Sequence, residues 1–412
     1  MDGPRILVVG YSGANNTGAE ALLRADIEDL RTALEGNLRI TIPALNPGNL
    51  RRYVAEGPDL EIVPVPTIFL GTIKQLVHEA DVVILAEGSA YMDTWTSALL
   101  WYFLWSTHCA HVEGKPCLAY AVDAGDLSPW NKALVRRVAS STDLIVTRSE
   151  AAANRLRSWG VTAPLVSTAD NAFTFVPNPE DAGWLQREWP EAADAPVGVA
   201  PVDFFRFPVV IRPWGRRKDL YRWPYYFSHS RRRRRASEVL ARSYAEVADR
   251  IVEQHDRPVA LIAMEQLDEA LCRRIHGEMR RGDRARVFSS REHDASRITW
   301  LLRDLRLLIT SRYHAAILSL SAGIPQIALG HDLRLSSLYE ELGLDAFFLR
   351  PTSSHVFDEL NRRIDLLMTE PNHQADALAS GFREHLERAR ENRGLLRSFL
   401  ADHGWEAERW AA

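Results

Sequence analysis

Leu307-Leu-Ile-Thr-Ser-Arg-Tyr-His-Ala-Ala-Ile-Leu-Ser-Leu-Ser-Ala-Gly-Ile-Pro-Gln-Ile-Ala-Leu329 reads as a short buried strand, a turn, a helix from about His314 to Ser321 and a second strand from Gln326. The apolar run supports the strand, and Ala-Gly-Ile-Pro stops the helix. Arg312 and His314 therefore fall where a strand ends and a helix begins. Open α/β sheets bind ligands at that edge, and free helix N–H groups favour anions there. A guanidinium, an imidazole and bare amides converge, which makes an anion site. Two plainer roles stay open on spacing alone: Arg312 as the structural partner of an Asp, and His314 as a satisfied core histidine.

The 412 residues exceed one ordinary core and predict two domains. We expect an N-terminal unit over 1–190, a second over 196–370, and a helical segment over 371–412 that crosses back to the first. Apolar content of 46% and charged content of 25% are globular averages, so composition points to no special class. A net charge of −4 argues against nucleic-acid binding by the whole surface. Cys109, Cys117 and Cys272 have no metal-ligand spacing, so no metal or cofactor is expected and a reducing cytoplasm fits. The chain enters its first strand without a basic-then-apolar leader, which predicts no secretory signal. Ala98–Trp105 is apolar but too short to span a bilayer, and reads as a buried helix.

Arg5–Leu23 opens as strand, Gly/Asn-rich loop and helix, with Gly10, Gly13 and Gly18 allowing close backbone approach. It holds neither a dinucleotide fingerprint nor a Walker lysine. Thr17 and Glu20 have capping-box spacing, so Glu20 is either a cap or a carboxylate facing the cleft. Strands follow at Leu38–Ile42, Glu61–Val65, Asp81–Ala86, Cys117–Val122 and Asp143–Thr147, alternating with helices. This rhythm predicts a parallel sheet between helical layers. Glu87, Asp123 and Asp126 lie just past strand ends, on the ligand-binding edge.

Acidic, Pro-bearing sequence from Pro177 to Pro196 marks the domain boundary, and a second α/β unit starts near Val197. Val209–Trp214 reads as a strand delivering Arg212 to an edge, because the residue before proline favours extended backbone. Residues 215–235 then set Arg216, Arg217, Lys218 and Arg231–Arg235 among aromatics. This run is a loop gripping a small polyanion, a solvated charge run, or a nucleic-acid groove. An amphipathic helix is expected from about Ser237 to Gln254, and a long helix over 374–400.

Gly10-Tyr-Ser-Gly-Ala-Asn-Asn-Thr-Gly-Ala-Glu-Ala-Leu-Leu resembles the opening signature of the polysaccharide pyruvyl transferase family. Ser311-Arg-Tyr-His-Ala, Ala322-Gly-Ile-Pro and His331-Asp-Leu-Arg resemble its closing signature, and Ala169-Asp-Asn-Ala-Phe a middle one. The resemblance spans roughly residues 5–345. It implies two Rossmann-like domains facing a cleft, in the arrangement of GT-B glycosyltransferases. It implies transfer of the pyruvyl group of phosphoenolpyruvate to two hydroxyls of a sugar, as a ketal, with phosphate released. On the matching positions it implies donor contacts by Arg312, His314 and Arg212 and substrate contacts by Asn16, Gly18, Asp170, His331 and Arg334. His314, which titrates near neutrality, is then the proton carrier, and the carboxylates Glu20 and Glu87 are the candidates for general base. Partners are then a small anionic donor and a sugar-containing acceptor; a lipid-linked acceptor would add peripheral membrane contact.

The sequence departs from that pattern at Ala19, where the family has Asp, at Glu87 in place of a glycine run, and at Arg334 in place of Lys. Two alternatives stay open: a GT-B-like glycosyltransferase using a nucleotide sugar, and a non-catalytic relative that binds anionic polymer.

Overall fold

The computed structural model describes residues 3–205, 209–214, 223–227, 230–353 and 355–405. Short, mostly apolar runs become strands covered on both faces: Val82–Leu85, Cys117–Val122, Leu307–Thr310 and Gln326–Leu329 are buried throughout. The first sheet holds seven parallel strands, β1 Arg5–Val9, β2 Arg39–Ala44, β3 Leu60–Pro64, β4 Val82–Leu85, β5 Cys117–Val122, β6 Leu144–Thr147 and β7 Leu165–Ser167. Their order is β3-β2-β1-β4-β5-β6-β7. After β8 Val197–Ala200 come the short β9 Val209–Ile211 and β10 Tyr225–Phe227, then β11 Val259–Ala263, β12 Ala285–Ser289, β13 Leu307–Thr310, β14 Gln326–Leu329 and β15 Phe348–Leu349. The second sheet runs β12-β11-β8-β13-β14-β15, also parallel.

Strand order reverses between β1 and β4 in one sheet and between β8 and β13 in the other. Ligands bind at such reversals, where the outgoing loops diverge. Backbone bonds hold the two sheets' loop edges together. Thr17 N donates to Met264 O (2.8 Å), and Gln266 N to Asn15 O (2.9 Å). Asn15 Nδ2 donates to Gln266 Oε1 (2.8 Å), and Ser290 Oγ to Asn15 O (2.7 Å). Asn15 turns here with φ of 48°, a conformation asparagine tolerates better than most residues.

The last helix, Ala375–Asp402, crosses between the units. Leu378 and Ala389 join the second core, whereas Leu396, Phe399 and Leu400 pack with Ile6, Val8 and Ile84 in the first. Where it crosses, Asn392 donates to Ala169 O (2.8 Å) and Asn171 Oδ1 (2.6 Å), and Arg393 reaches Asp29 at 2.7 Å.

Three local readings are corrected. The cap of the first helix, Thr17–Ala33, is Asn16, whose side chain accepts from Ala19 N at 3.0 Å. Asn16 rather than Thr17 holds the extended backbone of a cap, with φ −118° and ψ 110°. The Val209–Trp214 strand shrinks to β9, which pairs antiparallel with β10 in a separate hairpin rather than in the main sheet. Arg231–Arg235 is no loop but the start of the helix Arg231–His255, capped by Ser230 Oγ, which accepts from Arg233 N at 3.1 Å. Arg216, Arg217 and Lys218 lie outside the described residues.

Candidate active site

A cavity of about 750 Å³ lies between the two strand-order reversals, within the range of small-molecule sites. The first unit contributes Gly10, Asn16, Gly18 and Glu87, and the second contributes Glu265, Arg312, His314, His331 and Arg334. An apolar wall of Phe69, Trp95, Leu99 and Tyr102 faces them. The apolar segment expected as a buried helix supplies part of that wall.

The helix Tyr313–Leu320 starts one residue earlier than expected, with Arg312 as a cap that provides no side-chain hydrogen bond. The amides of Tyr313, His314 and Ala315 thus have no acceptor among the described residues, and the helix dipole adds positive potential there. The first helix also points its N-terminus at the cavity. There Gly18 lies so close to His314 that a Cβ would fall 2.0 Å from Nδ1. Behind the imidazole, Nε2 is 3.6 Å from Asp170 Oδ2. Asp170 is fully buried between His314 and Arg148, whose Nη1 meets it at 2.5 Å while Nε donates to Asp123 at 2.9 Å. Burial alone would raise the Asp170 carboxyl, but the Arg148 charge and His314 hold it well below the usual range. Arg148 in turn stacks on Tyr313, 4.5 Å from the ring centroid. Asp170 is therefore placed to orient His314, not to touch substrate as expected.

Arg312 lines the cavity but is gripped from behind. Nε and Nη2 donate to Asp268 at 2.8 and 2.5 Å, and Nη2 lies 3.0 Å from Glu265 Oε2. Both readings of this residue hold at once: it partners an Asp and faces the ligand space. Glu265 is buried, which raises its carboxyl above the ordinary range against the pull of Arg312. Arg334 is fixed likewise by Asp332, with Nη2 at 2.6 Å. Glu87 sits beside the first reversal, accepting from Ser89 N (3.2 Å), Ser89 Oγ (3.0 Å) and Tyr11 N (3.4 Å). His331 packs edge-on to Phe204, with centroids 5.0 Å apart.

Two expected site residues lie elsewhere. Glu20 is absent from the cavity wall; its buried Oε2 accepts from Ala295 N at 2.9 Å, capping a helix of the opposite unit. Burial pushes this carboxyl up to about 8. Arg212 is also off the wall, on the hairpin, with its guanidinium 5.7 Å from the Tyr226 ring centroid. Because the acid form of Glu20 is favoured by folding, stability should fall as pH rises from about 5 toward 9. Glu20→Gln keeps an acceptor for Ala295 N, so its melting temperature should overtake that of the parent at the alkaline end. Parallel melting curves across that range would refute the assignment.

Sequence reasoning placed Asn16, Gly18, Arg312, His314, His331, Arg334 and Glu87 around one cavity, and the structure brings all seven there. It missed Glu265 as a partner of Arg312, and Asp268 and Arg148 altogether as supports. The only available signal was Glu265-Gln-Leu-Asp268 beginning just past β11, at the same edge. Among the described residues no His/Cys/Asp/Glu cluster could hold a metal, and no helix is long and apolar enough to cross a membrane.

Residues 16–332 match the family model described as polysaccharide pyruvyl transferase. No curated protein matches the sequence. Among solved structures, Anabaena HepE in complex with UDP-glucose is similar over 97% of this chain and 100% of its own, at 14% identity and a TM-score of 0.60. UDP-GlcNAc 2-epimerase from Neisseria meningitidis bound to UDP-GlcNAc is similar over 97% and 100%, at 10% identity and 0.61. A putative UDP-N-acetylglucosamine 2-epimerase from Listeria monocytogenes covers 97% and 97%, at 12% and 0.61. At these identities the likeness is one of fold: two Rossmann-like domains in a GT-B-like arrangement.

Proposed function

The match spans most of the chain, so this protein belongs to the polysaccharide pyruvyl transferase family, and we propose that its cleft binds phosphoenolpyruvate at the start of the helix Tyr313–Leu320. The family reaction moves a pyruvyl group from phosphoenolpyruvate to hydroxyls of a sugar acceptor. The observation that carries the placement is the uncapped helix start, with three free amides, beside Arg312 and His314. Phosphate and carboxylate groups are the natural occupants of such a terminus.

The lining carries two arginines, Arg312 and Arg334, against the carboxylates Glu87, Asp126, Glu265 and Asp332. A multiply charged donor is accepted there only if some of that negative charge is neutralised. Burial of Glu265 favours its neutral form, and the amides supply positive potential without a competing anion. Glu265 as an acid beside Arg312 is therefore a candidate proton donor, alongside His314.

In our scheme the acid protonates the methylene carbon of phosphoenolpyruvate, leaving oxocarbenium-like character on the neighbouring carbon. A sugar hydroxyl bonds to that carbon and loses its proton to Glu87 or His314. The carbon–oxygen bond to phosphate then breaks, and the second hydroxyl closes the ketal. One of the two hydroxyl protons restores the acid, and the other leaves with phosphate. Asp170, fixed by Arg148, lies behind the imidazole and orients it. The cavity exceeds what a three-carbon donor fills, and its apolar wall offers Trp95 and Tyr102 as faces for the sugar.

The nucleotide-sugar alternative has fold likeness alone behind it. Such a reaction needs a free carboxylate in the second unit to hold a ribose, and the two nearest candidates on the cavity wall, Glu265 and Asp332, are already committed to Arg312 and Arg334. Phosphate release from phosphoenolpyruvate separates the two reactions. Millimolar phosphoenolpyruvate should raise the melting temperature beyond the effect of equal inorganic phosphate. Glu265→Gln should keep that shift while lowering turnover at least tenfold and changing the pH–rate profile. Equal shifts from both anions would count against the donor site, and an unaltered profile against Glu265.

A further inference from the structure

Among the described residues, ten large apolar side chains stand markedly exposed, and six of them lie on the segments that supply the cavity's lining residues Leu45, Phe69 and Tyr225. Leu45 lines the cavity itself, and Ile68 and Leu70 flank the lining residue Phe69. Ile211 is the register partner of Tyr225, whose hydroxyl donates to Thr67 O at 3.2 Å. Trp214 follows β9 by three residues, and Trp223 precedes β10 by two. All six are between 46% and 73% exposed. Hairpin and first unit are joined a second time by Val209 N donating to Trp95 O at 2.8 Å, so the patch spans both halves of the cleft.

A water-facing monomer seldom gathers aliphatic and indole side chains around one opening. Tryptophan is the side chain that prefers a bilayer's headgroup level. The charge beside the patch has matching sign. Ser230 caps the Arg231–His255 helix three residues beyond β10, and Arg231, Arg232, Arg234 and Arg235 are exposed on its first turns. Arg233 Nη1 reaches Phe205 O at 3.4 Å, next to the lining residue Phe204, which places these turns at the cavity lip. Apolar insertion together with a basic flank describes a surface for an anionic bilayer, not for neutral solvent.

We infer that the mouth of the cleft is a docking face for an anionic lipid surface, so that the cavity opens toward the membrane. The inference deepens the functional reading, because a docked cleft would take its sugar acceptor from a lipid carrier in that surface. Its test needs no turnover, so either reading can fail alone.

The full chain is mixed with vesicles containing phosphatidylglycerol and, separately, with pure phosphatidylcholine vesicles, and the bound fraction is read by co-sedimentation. Binding is expected on the anionic vesicles only, weakening as salt is raised. The pairs Ile68→Asp with Leu70→Asp, and Arg231→Glu with Arg232→Glu, should each lower it at least tenfold, with melting temperatures unchanged. Absent binding, or binding indifferent to both pairs, overturns the inference. So does a concentration-dependent dimer that the same substitutions dissolve, since the patch would then be covered by a second copy.

Discussion

Arg312→Ala is expected to lower stability by about 3–5 kcal/mol and to abolish measurable phosphoenolpyruvate binding. The stability loss does not come from the arginine's own contacts alone. Removing the guanidinium leaves Asp268 and Glu265 buried side by side, with their shared positive partner gone. Without Arg312 the buried Glu265 is held in its neutral form, and Asp268 is left a buried anion with no cation, so it must take up a proton or the region must open. Adding Asp268→Asn to the alanine variant should therefore recover part of the stability but none of the donor affinity. Urea unfolding and donor titration separate the two effects. Wild-type affinity in the alanine variant would remove Arg312 from the donor site, whatever its stability.

A single methyl group should be as damaging at Gly18. In an exposed helix, alanine in place of glycine gains about 1 kcal/mol from propensity. Here the new Cβ would lie 2.0 Å from His314 Nδ1, and the ring cannot retreat freely because Asp170 lies behind it. The imidazole must swing away from the uncapped amides it accompanies. A displacement of about 1 Å at a reacting group costs on the order of 100-fold in rate, and Gly18→Ala should show at least that loss in kcat with the fold retained. Normal turnover would mean that His314 is not at the chemistry.

The contrast between these two residues shows what the linear chain disclosed. Strands such as Leu307–Thr310 were legible because both faces are buried, so an apolar run needs no partner to be read. Arg312, His314 and Gly18 were legible as ends of such runs. What surrounds them was not, because Asp268 lies 44 residues from Arg312 and Arg148 lies 22 from Asp170. Glu20 was misplaced for a related reason. Helical spacing offered a local cap, yet the better donor, Ala295 N, lies 275 residues away on the other unit. Arg212 was carried to the cleft by its proline neighbour, whereas the hairpin aims it along Tyr226. Local rules found the elements and the motif residues; contacts across the domain interface decided which side chains point into the cavity.

The returning helix has a consequence for synthesis on the ribosome. Leu396, Phe399 and Leu400 complete a core whose other buried members lie between Ile6 and Val146. The N-terminal unit thus emerges with an apolar face still uncovered. It must wait, exposed, until Leu400 has left the exit tunnel, and nascent chains stopped before residue 396 should engage holding chaperones.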